Sequence, residues 1–322
     1  ANGEDKLGKR YSSKGRYWLE NRAKRLIEID GSFSQYSVNY HRVMLDSYCL
    51  CEVFRKKFDQ QAFSSKLYAR LEAATNWLYK FTQAKNGDVP NIGANDGAKL
   101  IPLTDTSYRD FRPTVQLAST LFLNEFKYPD DGKYQQVINF LVGSMEAHNI
   151  NPSAQSQFFP DGGYAFLTNK SASLYFRCPQ FKFRPSQCDV LHLDFWLNGE
   201  NIFRDGGSFS YNTEDKWIKY FSGDESHNLV QFDERNQMPK LSRFLYSNWL
   251  NCKINFYNFN DKSKQVISGS YKDSWNAKFN RDITLEPNEL TVKDEVSGFK
   301  NNAILRWRLI PGNWIINNNQ FS

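Results

Sequence analysis

Histidine is the scarcest chemistry-bearing residue in this chain, with four in 322 residues. Five cysteines (Cys49, Cys51, Cys178, Cys188, Cys252) form no CxxC pair, which excludes a dense disulfide scaffold, and their odd count leaves at least one free thiol unless a pair forms between chains. No apolar run approaches the roughly 20 residues that span a bilayer, so no membrane span is expected. Basic runs are missing too. The net charge of +6 is mild and scattered; it suits an acidic partner and gives no nucleic-acid tract. No repeat or low-complexity tract appears, and no signal peptide is visible at Ala1, which points to a processed or truncated start.

Aromatic residues, by contrast, are abundant: 26 Phe, 17 Tyr and 8 Trp. They line a cleft, where sugar rings stack on aromatic faces, or they reflect the preference of strands for aromatics. The length favours two domains. Up to about residue 150 the apolar spacing is helical, over Arg16–Ile29, Tyr40–Phe58, Lys66–Thr82, Thr114–Phe126 (opened by Pro113) and Lys133–Ala147. Beyond Asn151 the chain reads as short strands: 172–177, 190–197, 229–232, 253–257, 265–270 and 303–310, punctuated by Asn, Gly, Asp and Ser. The expectation is an α+β multidomain chain, with antiparallel helices in residues 1–150 and an antiparallel β-sandwich in 151–322.

Four clusters carry candidate chemistry. In the strand-rich part, His192 and Asp194 flank Leu193 and are expected on one face of a strand. The turn Asn198-Gly199 predicts a hairpin that returns Asp205 beside them, and His227 follows. Two imidazoles and a carboxylate suit a divalent metal such as zinc, with Asp194 as an extra ligand or an orienting partner; polar residues hydrogen-bonded within a sheet are the alternative. The loop from Asp30 to Arg42 delivers Asn39, Tyr40, His41 and Arg42 together, able to hold a carboxylate and handle a proton, or else it is an ordinary helix start with Asn39 as cap. Two loops, 90–97 and 106–113, offer Asn95, Tyr108, Arg109 and Arg112, the alternative being an Asp–Arg structural network. Last, Phe159 to Tyr164 is a turn, or a glycine-rich rim with Tyr164 as an aromatic platform.

Taken in order, Asp30-Gly31-Ser32-Phe33, Tyr40-His41-Arg42, Asn91 to Leu103, Tyr108 to Leu117, Gly162-Gly163-Tyr164, Asp189 to Trp196, Asp205 to Tyr211, Ser226 to Val230 and Gln237-Met238 resemble the heparinase II/III-like polysaccharide lyases. They look most like a branch associated with bacterial surface-polysaccharide clusters. The resemblance runs from about residue 16 to the C-terminus. It implies an (α/α) toroid, here incomplete, as expected of an N-terminally truncated one, followed by a β-sandwich with the substrate cleft between them. It also implies β-elimination at a uronic acid: a neutralised C6 carboxylate, removal of the C5 proton, and protonation of the leaving oxygen at C4. On this resemblance Asn39 is the neutralising amide, His41 the base and Tyr108 a substitute for the family's catalytic tyrosine, whose loop here carries Asn95-Asp96. Tyr40, Arg42, Asn95, Arg109, Arg112, Tyr164 and Gln187 are candidate substrate contacts. Gln187-Cys188 stands where many members carry a histidine. His192, Asp205 and His227 match the family's zinc ligands. An acidic polysaccharide is the implied partner, and the periplasm or exterior of a bacterium the implied location.

Two rival classes remain. One is a glycan-binding or biosynthetic accessory protein on the same scaffold without elimination. The other is a glycoside hydrolase, which needs two facing carboxylates, with Asp96 and Asp110 the candidates.

Overall fold

A computed structural model describes residues 6–129, 131–143, 148–149, 155–317 and 320–321. Five helices come first: α1 (Lys6–Leu26), α2 (Val38–Lys57), α3 (Ser65–Phe81), α4 (Arg112–Phe122) and α5 (Gln136–Leu141). Each begins or stops for a local reason. Ser37, in extended backbone, accepts the Tyr40 N–H and so caps α2; Asn39 lies inside the helix and is not its cap. Ser64 caps α3 in the same way, and Pro113 occupies the first turn of α4. α1 ends at Leu26, short of Ile29, because Ile27 turns to pair with Phe33. α4 stops at Phe122, before Phe126, and Asn124 just beyond it takes a left-handed φ of 56°. The helix expected over 133–147 is a 3₁₀ turn leading into α5; its residues 144–147, like the expected domain boundary at 150–151, lie outside the described residues.

The strands form two main antiparallel sheets. β1 (Gln157–Phe159), β2 (Tyr164–Thr168), β3 (Ala172–Arg177), β4 (Leu193–Leu197) and β5 (Glu200–Phe203) make a five-stranded meander in sequential order. β6 (Val230–Phe232) pairs later with β11 (Ala303–Leu305). β7 (Lys253–Asn258), β8 (Gln265–Lys272), β9 (Lys278–Leu285) and β10 (Leu290–Ser297) make the second meander. The Asn198-Gly199 turn has φ of 53° and 82°, the primed geometry that suits a two-residue hairpin. One helix departs from the strand-only expectation, α6 (Asp215–Ser222). The strands expected to begin at 190 and to run to 310 shorten to β4 and β11, leaving His192 just before its strand with Leu191 at φ 65°.

Side-chain alternation explains the layering. On β2 and β3, Tyr164, Phe166 and Tyr175 face α3, packing with Trp77 and Phe81. Ala165, Leu167, Leu174 and Phe176 face the other way and form a second core with Ile267, Tyr271, Phe279 and Ile283 of the four-stranded sheet. The first sheet is thus buried on both faces and reads as a near-continuous apolar run, while β8 and β9 alternate buried and half-buried residues. A disulfide between Cys178, after β3, and Cys252, before β7, ties the two sheets; Cys49, Cys51 and Cys188 are free thiols. The Asp30 carboxylate accepts from Ser32 N (2.9 Å), Asp161 N (2.8 Å) and Gly162 N (3.3 Å), fastening the helical part to the β1–β2 turn.

Candidate functional site

The start of α2 meets the loops 91–98 and 205–211 where the helices abut the strands. Asn39 is buried there. Its Oδ1 accepts from Arg42 Nη2 (2.5 Å) and from the Tyr108 hydroxyl (3.0 Å), while its Nδ2 is buried with no acceptor. Tyr108 OH also reaches Asn95 Oδ1 (2.7 Å). Arg42 is held by the carbonyls of Tyr108 (2.7 Å) and Ala98 (3.0 Å), with its guanidinium 4.5 Å from the Tyr108 ring centre. The strand-side loop closes on this cluster: Asn95 N donates to Ser208 Oγ (3.0 Å), and Tyr40 and Tyr211 share a hydroxyl–hydroxyl hydrogen bond of 3.1 Å. Gly207 takes φ 71°, a conformation L side chains rarely adopt, and a Cβ there would push the Asn91 amide aside. Burial, followed by the bond to Tyr211 and the nearby Asp96 charge, raises Tyr40 well above the usual phenol range.

Other expected site residues lie elsewhere. His41 is not brought to this cluster. Its ring stacks on Trp77 at 4.5 Å in the helical core, with Nε2 against the Ala74 carbonyl (2.9 Å), and burial pushes it down to about 4. Tyr164 is 1% exposed and packs against Trp77, Phe81 and Arg177, so it offers no platform to solvent. Arg109 is engaged with Asp88 and the Val89 carbonyl, and Arg112 with Asp110, which is the Asp–Arg network weighed as the alternative. Asp110 is therefore paired, while Asp96 accepts its own loop's Ala98 N–H, so the two do not act as a facing carboxylate pair. Gln187 is buried below the 205–211 loop, donating to the Gly207 and Phe221 carbonyls (2.9 and 3.2 Å).

The second cluster lies within the strand-rich part. His192, Asp205 and His227 are all buried and offer ligand atoms within 4.8 Å of one another. Asp205 Oδ2 is 2.9 Å from His227 Nδ1 and 3.5 Å from His192 Nε2. Burial alone would raise Asp205, but the two imidazoles and the Gly207 N–H outweigh it and hold the carboxyl below its usual range; His227 rises correspondingly against its own burial. Asp194 accepts from Trp196 Nε1 (2.5 Å) and from the Asp205 N–H (3.0 Å), with its Oδ2 3.8 Å from His192 Nε2. His192 Nδ1 accepts the Asn228 N–H (3.0 Å), and its Nε2 faces Asp205 at 3.5 Å without a hydrogen-bond partner. His227 Nε2 is buried without a partner. The donor set, two imidazole nitrogens and a carboxylate, fits a zinc-type ion.

Tyr211, Ser208, Lys240, Arg243 and Phe244 near the first cluster were not singled out in the sequence. A basic and aromatic hairpin (Lys240–Ser242 with Leu245–Tyr246) was the available signal.

The family model described as heparinase II/III-like, C-terminal, matches residues 151–318. A comparison with curated proteins finds no match. Among solved structures, a heparinase III with methylated lysines superposes with a TM-score of 0.74 at 16% identity, covering 97% of this chain and 45% of that one. A crystal structure of heparinase III gives 0.73 at 16%, covering 98% and 48%. The heparan sulfate lyase HepC from Pedobacter heparinus gives 0.70 at 16%, covering 98% and 46%. At that identity the likeness is one of fold, and the chain spans about half the length of these proteins.

Proposed function

Because the chain belongs to the heparinase II/III-like family, we propose that it is a polysaccharide lyase that cleaves an acidic, uronate-containing glycan by β-elimination. The observation that carries this reading is the Asn39 amide, whose Oδ1 is held from two sides while its buried Nδ2 lacks an acceptor. A uronate carboxylate supplies that acceptor. Neutralising it acidifies the C5 proton, and the Tyr108 oxygen, held between Asn39 and Asn95 beside the Arg42 cation, is the group placed to receive it. Tyr40, kept protonated by burial and by Tyr211, gives its proton to the leaving C4 oxygen. In this reading His41, stacked on Trp77 in the helical core, takes no proton.

In this reading the helices are part of an (α/α) toroid in residues 1–150, followed by the sandwich in 151–322. The Cys178–Cys252 disulfide supports a periplasmic or secreted location, because such bonds persist in oxidising compartments. His192, Asp205 and His227 hold zinc. Bound there, the ion supplies a fixed positive crosslink that braces the loop carrying Ser208 and Tyr211. Elemental analysis tests this part: about one zinc per chain is expected in the wild type and none in His227→Ala. Metal-free wild-type protein would set zinc aside and leave Asp205 hydrogen-bonded to His227 alone.

The reaction is tested by incubating the protein with a panel of polyuronates and following the ultraviolet absorbance of the unsaturated product. The wild type should raise it, and Tyr108→Phe should slow the rise by about 10²–10⁴-fold. A second reading, glycan binding without turnover, draws on the buried His41 and on Asn95-Asp96 and Gln187-Cys188 standing where the resemblance implies a tyrosine and a histidine. Binding of the polyuronates with a flat absorbance trace from folded wild type would decide for it.

A further inference from the structure

Behind Tyr211 lies a cavity of about 50 Å³, lined by Gln187, Ser208, Tyr211, Lys240, Arg243 and Phe244 among others. A water needs about 10–15 Å³ of such space, so the cavity takes a few heavy atoms, a pendant group and not a sugar ring. Its electrostatics are one-sided. The Arg184 and Arg243 guanidiniums each lie 5.8 Å from the Phe244 ring centre, and Phe244 meets Tyr211 edge-on at 5.5 Å. Half-buried Lys240 donates to Ser222 Oγ (2.5 Å). Among the described residues, no carboxylate forms an ion pair with Arg184, Lys240 or Arg243. Burial, with the positive charges of Arg243 and Lys219 adding to it, holds the Lys240 ammonium below its usual range. Lys240 is the partly desolvated cation of the three, Arg184 and Arg243 being exposed at the rim, and a half-buried ammonium without an anion beside it favours one that joins it. The wall has a second unmet need: Gln187 spends its Nε2 on two carbonyls, leaving a buried Oε1 with no donor.

We propose that this cavity is a specificity subsite for an anionic group pendant on the glycan, a carboxylate or a sulfate ester, bound by Lys240 and Arg243, with Gln187 Oε1 accepting from a neighbouring sugar hydroxyl. The inference rests on the lyase reading for the identity of the ligand as a glycan, and it deepens that reading by naming what the site selects. A neutral sugar in the same position leaves the cations uncompensated. Discrimination therefore resides in this pocket, apart from the Asn39 amide that binds the carboxylate of the reacting sugar.

The test is equilibrium binding by titration calorimetry, in a Tyr108→Phe background so that turnover cannot consume the probe. The probes are an unsulfated glucuronate-containing tetrasaccharide, its O-sulfated form and neutral cellotetraose. The charged probes should bind at least about tenfold more tightly than the neutral one, which corresponds to about 1.4 kcal/mol. Arg243→Ala and Lys240→Met should each remove about five- to tenfold of that preference, leaving cellotetraose binding unchanged. Arg243 is exposed and Met keeps the Lys240 stem, so both variants should melt like the parent. A gain from the O-sulfate assigns the group as sulfate; equal binding of the two charged probes assigns it as carboxylate. Preference retained in both variants, neutral binding as tight as charged, or no binding of either charged probe overturns the subsite. Because no turnover is measured, a flat absorbance trace with intact charge preference rejects the lyase reading alone.

Discussion

Around Asn39 the polar groups are satisfied on one side and left open on the other: Arg42 and Tyr108 occupy the amide oxygen, and the amide nitrogen waits for an acceptor. Around Asp205 the arrangement is inward. One carboxylate accepts from His227 and Gly207, lies 3.5 Å from His192, and is itself positioned by Asp194. An open buried donor is costly in a resting fold, so it marks where a ligand completes the hydrogen bonding. The Asp205 cluster also leaves ring nitrogens open, His192 Nε2 and His227 Nε2, but it groups them with a carboxylate, the donor set of a bracing cation. The difference separates binding chemistry from bracing, although both clusters are buried and both contain the residue types expected of a catalytic site.

Replacing Asp205 with Ala attacks the inward cluster and should have the largest effect. It strands two buried imidazoles, and the loss of stability should be about 3–5 kcal/mol by urea unfolding. A loss under about 1 kcal/mol would mean the cluster does not brace the fold. Asn39→Ala attacks the open cluster. Here kcat should fall by about 10²–10³-fold, while unfolding shifts by only about 1–2 kcal/mol; comparable losses in both variants would erase the distinction. A subtler test uses pH behind the open cluster. Asp46, buried on α2 and bonded by Thr114 (2.7 Å), is pushed up to about 6 by burial. Its contribution to stability is full below about pH 4 and is lost as pH rises through 6. His41, pushed down to about 4 by burial, contributes fully above about pH 6.5 and loses its contribution as pH falls through 4. The two slopes oppose each other between pH 4 and 6. Asp46→Asn should therefore steepen the gain of stability with rising pH by about 2–3 kcal/mol across that window, read from thermal unfolding at stepped pH. An unchanged slope would show that Asp46 is ionised at no unusual cost.

Much of the architecture was legible because it rests on periodicity. Helical spacing before residue 150 and short strands after it located most elements, and the Asn-Gly turn marked the β4–β5 hairpin. Scarcity pointed to His192, Asp205 and His227, which the fold brings together. Orientation about a helix axis was less accessible. Asn39 and His41 are two residues apart, so α2 turns one toward Tyr108 and the other onto Trp77. Tyr40 and Tyr211 meet across 171 residues, a pairing that no local pattern contains. The short α6 was hidden because a two-turn amphipathic segment between strands carries too little signal to override its surroundings.

The doubly buried five-stranded sheet has a consequence for dissecting the molecule. A fragment starting at the expected boundary would keep the strands and lose α3, laying bare Phe159, Tyr164, Phe166, Tyr175 and Trp196 as one continuous aromatic surface. Such a surface exceeds what soluble monomers tolerate and promotes association. The helices and the first sheet share a packed middle layer, so the two parts should melt as one cooperative unit.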